Sequence, residues 1–261
     1  MSSEFLRFVS DHFAHCCAKS AAIDVDNGWM LSKDSGDQLL YSKHLSDWIG
    51  AVRALAGFHS EAIGYVEQAS ACFPSNPLSY DAFADLIHCS ESMQYWEMNG
   101  EQVEKLYSIL PRLKSAIKNI ASACSSMTIC HGDAHARNVL VDASGNYAWF
   151  DWRESHIGNP LTDIGCFLWW ITPDRKKLGI GLDITAMMRE RRYQEYMEAL
   201  SNLASLPDIR EVILVSLMHR SVNFHQRYRC LDLGKIKPYV PYTLMQLIRF
   251  AEDSDKREAT G

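Results

Sequence analysis

The chain has 261 residues, 47% hydrophobic and 22% charged; that suits one large domain or two modest ones, with a core that needs no disulfide or metal. Its 26 Lys and Arg against 32 Asp and Glu give a net charge of −6, which excludes a global basic field able to grip a nucleic-acid backbone. No apolar run approaches the ~18 residues of a membrane span, the start has no secretory pattern, and the eight dispersed cysteines lack a C-x-x-C pair, so they read as reduced, mostly buried thiols of a cytoplasmic protein.

Residues 3–13 space Phe5, Phe8, Val9 and Phe13 as a helix does. Residues 21–31 read as extended, with a hairpin turn at Asp24-Val-Asp-Asn-Gly28. From Leu45, the positions Leu45, Trp48, Ile49, Val52, Leu55 and Ala56 mark one helical face, and Gly57 and His59 read as its stop. A second helical stretch carries Val103, Leu106, Leu110, Leu113, Ile117 and Ile120, and Pro111 either kinks it or starts a new helix.

The period then shortens. Residues 127–130 form a short extended run, and residues 138–142 and 147–151 read as paired strands around Ala143-Ser-Gly-Asn146. After Pro160 the chain reads as helical almost to its polar end, with residues 209–224 apolar around much of their circumference, as in a buried helix. Trp169 and Trp170 read as core, Arg189-Glu-Arg-Arg192 as a solvated helix face, and the basic set His219, Arg220, His225, Arg227 and Arg229 as partners of the acidic surface, with help in binding an anionic substrate as the less favoured alternative.

The chemistry concentrates in His131-Gly-Asp-Ala-His-Ala-Arg-Asn138, with Asp151 at the far end of the hairpin. An Asp, four residues and an Asn, then a hairpin ending in Asp, is the order in which kinases set out their catalytic groups. Phosphoryl transfer asks mainly for positioning and charge stabilisation. A carboxylate such as Asp133 can orient an acceptor hydroxyl and take its proton. Asn138 and Asp151 offer the hard oxygen ligands that Mg²⁺ prefers. A zinc or paired-metal hydrolase built on His131, Asp133 and His135 is a weaker alternative, because only His156 lies nearby to complete such a set.

His131-Gly-Asp-x-His-x-x-Asn138, Phe150-Asp-Trp152 and Gly158-Asn-Pro-Leu-Thr-Asp163 resemble the motifs of the aminoglycoside phosphotransferase and choline kinase family. The resemblance implies an α+β, protein-kinase-like fold. Its helical C-terminal lobe (37–261) would carry the catalytic-loop hairpin, beside a truncated N-terminal lobe (1–36) of one helix, two strands and a hinge. It implies ATP and Mg²⁺ as cofactors, Asp133 as the catalytic carboxylate, and Asn138 and Asp151 as metal ligands. His131, His135 and Asp163 would support the loop, and Met30, Leu31 and Ser32 would present backbone to the adenine. The acceptor would be a hydroxyl of an aminoglycoside-, choline- or sugar-like molecule, with no nucleic-acid or membrane partner.

The sequence departs from that pattern at its start. There is no G-x-G-x-x-G, and Lys19 is the only early candidate for the strand lysine that steadies the phosphates. The expectation is therefore a weakened enzyme, with a catalytically inactive binding protein of the same fold as the alternative.

Overall fold

The computed structural model describes residues 3–18, 20–24, 29–177, 184–200, 203–229 and 238–258. Helix α1 (Ser3–His12) leads to an antiparallel pair, β1 (Ser20–Asp24) and β2 (Trp29–Ser32). Lys19 and the turn proposed between these strands lie outside the described residues. Phe8, Val9 and Phe13 of the first segment are buried, and the Phe13 ring meets Phe58 edge-on at 4.9 Å. The chain after α1 then joins the hairpin strand around Trp149, where Trp149 N donates to Cys16 O at 2.9 Å and Ala18 N to Trp149 O at 3.0 Å.

The short strand β3 (Asp37–Gln38) opens the larger body and is followed by helices α2 (Leu45–Ala62), α3 (Val66–Ala69), α4 (Tyr80–His88), α5 (Ser90–Tyr95) and α6 (Gly100–Ala123). Helix α2 buries Trp48, Val52 and Leu55, as its spacing predicts, but it runs on through Gly57 and His59 to Ala62. The reason is tertiary. His59 is fully buried and hydrogen-bonded inward, so it extends the buried face instead of ending it, and the ~1 kcal/mol cost of a mid-helix glycine is outweighed. Helix α6 likewise passes unbroken through Pro111. It opens with a capping box between Asn99 and Gln102, and buries Leu106, Leu110 and Leu113 around the proline.

Strands β4 (Thr128–Cys130) and β7 (His156–Gly158) pair antiparallel. Between them, β5 (Val139–Val141) and β6 (Tyr147–Trp149) form the expected hairpin, with Val139 opposite Trp149 and Val141 opposite Tyr147. Asp142 closes its turn by accepting from Ser144 N at 2.8 Å and Asn146 N at 2.9 Å. Strand β3 adds to the open side of β5. The loop 131–138 therefore emerges between two small sheets, held at both ends by strand pairing.

The remaining body is helical: α7 (Leu161–Lys177), α8 (Ile184–Ala199), α9 (Ile209–Tyr228) and α10 (Tyr239–Glu258). Helix α9 is buried from Val212 to His225, and α7 crosses it closely at Gly165, where a Cβ would lie 2.0 Å from Ser216 Oγ. The expectation of a solvated face at 189–192 fails at Arg192. Its side chain is buried with the guanidinium 4.6 Å from the Trp48 ring, while Glu190 and Arg191 are exposed. Among the described residues no helix is long and apolar enough to cross a membrane.

Candidate active site

Asp163 organises the loop 131–138 from the first turn of α7. Its Oδ2 accepts from His131 N at 2.5 Å and from His59 Nε2 at 3.1 Å, and its Oδ1 accepts from Gly132 N at 2.9 Å. Burial would push this carboxyl up, but His59, His131 and His156 hold it below the usual carboxylate range. Gly132 sits at φ +78°, and a Cβ there would lie 2.0 Å from Glu154 O. The loop thus needs glycine at this point for both conformation and space.

His131 is buried and fixed in one tautomer. Its Nε2–H donates to Phe150 O at 2.8 Å, and its Nδ1 accepts from Asp133 N at 3.3 Å. Both ring nitrogens are engaged, so His131 is scaffold, unable to ligate metal in this arrangement. Among the described residues no group of three or more His, Cys, Asp or Glu side chains is placed to hold a metal ion.

Asp133, Asn138 and Asp151 line one cleft of about 650 Å³. Asn138 Nδ2 donates to Asp133 O at 3.0 Å and to Asp133 Oδ2 at 3.3 Å, which leaves Asn138 Oδ1 as the atom available to a cation. Asp151 is exposed and sits at φ 60°, ψ 56°, a left-handed conformation that Asp tolerates better than most residues. Two oxygen donors lining one cleft, one neutral and one anionic, suit a hard divalent cation that keeps most of its waters. His135 lies against Asp133 at 3.4 Å. Met30, Leu31 and Ser32 are on β2; of the described side chains, Leu31 and Ser32 are not among those lining this cleft, and Gln38 is the nearest in sequence that is. Leu31 and Ser32 are exposed, and the Met30 side chain lies outside the described ones.

Arg220, whose sequence context suggests a partner of the acidic surface, instead joins this site. From α9 it reaches Asp133 Oδ1 at 2.5 Å, while its Nη1 donates to Gly132 O at 3.3 Å. Burial opposes the Asp133 charge, but Arg220, then His135 and His131, hold the carboxyl far below its ordinary value. The signal lies in the sequence: an arginine on a helix that is apolar around much of its circumference has to bury its charge against a partner. Glu154 is a second buried acid at the cleft, hydrogen-bonded by Tyr228 Oη and flanked by Arg153 and Arg227, each at 3.4 Å. Trp170 also lines the cleft, stacked on Tyr242 at 5.8 Å, which corrects its reading as core.

Behind the loop, His156 and His219 face each other with Nε2 atoms 3.1 Å apart, and His156 Nδ1 donates to Glu154 O. Burial lowers both, His219 to about 3. In the unfolded chain they take up protons near 6.5 while the folded protein takes them up only at lower pH, so stability falls as pH drops below the unfolded value. For His219 alone the loss at pH 5 is about 2 kcal/mol. Urea unfolding at pH 7.5 and 5.0 measures it, and His219→Gln is expected to flatten the acid limb.

Against known proteins, the family model described as the phosphotransferase enzyme family matches residues 48–206. No curated protein sequence matches the chain. Among solved structures, a choline/ethanolamine kinase family protein from Mesorhizobium loti is similar with a TM-score of 0.63 at 12% identity, over 97% of this chain and 79% of that one. Choline kinase LicA from Streptococcus pneumoniae is similar with a TM-score of 0.57 at 12% identity, over 97% and 81%. The aminoglycoside phosphotransferase APH(3'')-Id from Streptomyces rimosus, in complex with ADP and streptomycin, has a TM-score of 0.52 at 15% identity, over 85% and 80%. The fold is accordingly α+β and kinase-like. With the family model spanning more than half of its length and the loop-hairpin motifs inside that span, the chain belongs to the phosphotransferase enzyme family.

Proposed function

We propose that the protein transfers the γ-phosphate of ATP to a hydroxyl group of a small molecule. The observation that carries this reading is the convergence of Asp133, Asn138 and Asp151 on one cleft, in kinase order along the chain. The similar Streptomyces rimosus enzyme is described with ADP and an aminoglycoside, which supports a nucleotide and a small acceptor here. Asn138 and Asp151 would hold Mg²⁺, which when bound would neutralise charge on the phosphates.

Asp133 orients the acceptor. The hydroxyl oxygen forms a bond to the γ-phosphorus, the bond from that phosphorus to ADP breaks, and the hydroxyl proton leaves along the hydrogen bond to Asp133. Because Arg220 keeps Asp133 ionised, the carboxylate is ready to accept this hydrogen bond but holds the proton only weakly. Its main contribution is orientation and charge. His131 and Asp163 fix the loop backbone from behind. The β2 backbone at Met30, Leu31 and Ser32 is the proposed adenine edge, in a small lobe made of residues 1–36.

Calorimetric titration with Mg-ATP tests this directly. Binding is expected, and Asp151→Asn should weaken it at least ~10-fold, about 1.4 kcal/mol. No binding at millimolar nucleotide would favour the rival, a binding protein of the same fold without catalysis. That rival draws on one observation: before residue 37 the described strands are only the β1–β2 pair.

A further inference from the structure

The cleft of a phosphotransferase must hold its acceptor beside Asp133, and here that place already contains a positive charge. The Arg220 guanidinium lies 4.5 Å from the Phe224 ring and 5.7 Å from the Trp170 ring while its Nη2 bonds Asp133 Oδ1. Two aromatic faces and a carboxylate are the elements from which a protein builds a seat for an ammonium group. Arg220 fills that seat from within. It is 7% exposed and further tied to Gly132 O and Cys166 Sγ, so it belongs to the packed structure and is no loose surface side chain.

The other acid available to the acceptor is spent as well. Glu154 receives a hydrogen bond from Tyr228 and faces Arg153 and Arg227. Among the described residues Asp151 is the remaining lining carboxylate, and it is assigned to the metal. A cationic acceptor entering this cleft would find neither an unpaired carboxylate nor an open aromatic face at Asp133, and it would approach a fixed guanidinium.

Resting on the phosphotransferase reading of this cleft, we propose that Arg220 is its specificity-determining residue. It excludes amine and quaternary-ammonium alcohols, so the acceptor is an alcohol without positive charge, a neutral polyol or a hydroxy acid. Away from Asp133, the exposed rings of Tyr239 and Tyr242 suit the apolar face of such a molecule.

The test compares choline with 3,3-dimethyl-1-butanol, its uncharged isostere, by calorimetric titration into the full chain. Wild-type protein is expected to bind choline no better than the isostere. Arg220→Met should bind choline at least ~10-fold tighter than wild type does, from the vacated aromatic seat and the unpaired carboxylate. Arg220→Lys should show no such gain, which separates charge from space. Arg220→Gln replaces the Met variant if that one melts early by circular dichroism. Preferential choline binding by wild type, or no gain in the neutral variants, overturns the proposal. A Mg-ATP titration on the same wild-type sample judges the phosphotransferase reading separately, since the choline comparison is a binding readout that stands whether or not nucleotide binds.

Discussion

Asp133→Asn is expected to remain folded and to lose phosphotransfer by ~10²–10⁴-fold, whereas Asp133→Ala should fail first as a protein. The sequence suggests a polar loop residue that could be truncated at little cost to folding. The structure instead pairs Asp133 with a guanidinium that is only 7% exposed. Removing one partner of a buried pair leaves an uncompensated charge and costs ~3–5 kcal/mol. The amide of Asn keeps an oxygen for Arg220 to donate to, so its cost should be nearer ~1–3 kcal/mol.

The double variant Asp133→Ala with Arg220→Met makes the point quantitative. Stability should recover relative to Asp133→Ala, because the stranded charge is gone, while activity should stay lost. Urea denaturation and initial rates of phosphotransfer, or of ATP hydrolysis with water as acceptor, measure the two effects separately. Near-wild-type rates in Asp133→Asn would remove Asp133 from the mechanism. Recovery of activity in the double variant would show that Arg220, and not the carboxylate, governs the site.

Much of this arrangement could be read from local pattern. The 131–138 loop and the hairpin to Asp151 are contiguous, and their residue types and spacing are set by hydrogen bonding over short distances. Paired strands of three residues around an Asp-x-x-Gly-Asn turn leave few alternatives. The same holds for α2 and α6, whose buried faces repeat every three to four residues. What stayed hidden depends on contacts distant in sequence. His59 looked like a helix stop because its partner Asp163 is 104 positions away. Arg220 looked like a surface cation because Asp133 lies on another element. Arg192 follows the exposed Glu190 and Arg191, and the Trp48 ring from α2 shows which way it faces. The short helices α3, α4 and α5 carry too few turns for a period to stand out, although Ser79 caps α4 by accepting from Ala82 N and could have marked its start.

Asp163→Ala should be the most damaging single change outside the reacting groups. The side chain is 1% exposed, and its loss strands the His131 and Gly132 amides and the His59 ring N–H. Each unsatisfied buried donor costs ~1–3 kcal/mol, so the sum approaches the whole stability of a typical domain, about 5–15 kcal/mol. A large fall in melting temperature or insoluble expression is expected. The pH dependence carries a distinct signature. Because the folded protein holds this carboxyl below its ordinary value, its contribution is complete above the unfolded carboxylate range. It is lost as pH falls through the folded value. The gap between wild type and Asp163→Ala should therefore be widest near neutrality and close in acid. Asp151→Asn, at an exposed position, should leave the melt almost unchanged while weakening Mg-ATP. If the two variants behaved alike in both assays, the division between a carboxylate that builds the loop and one that faces the cleft would be wrong.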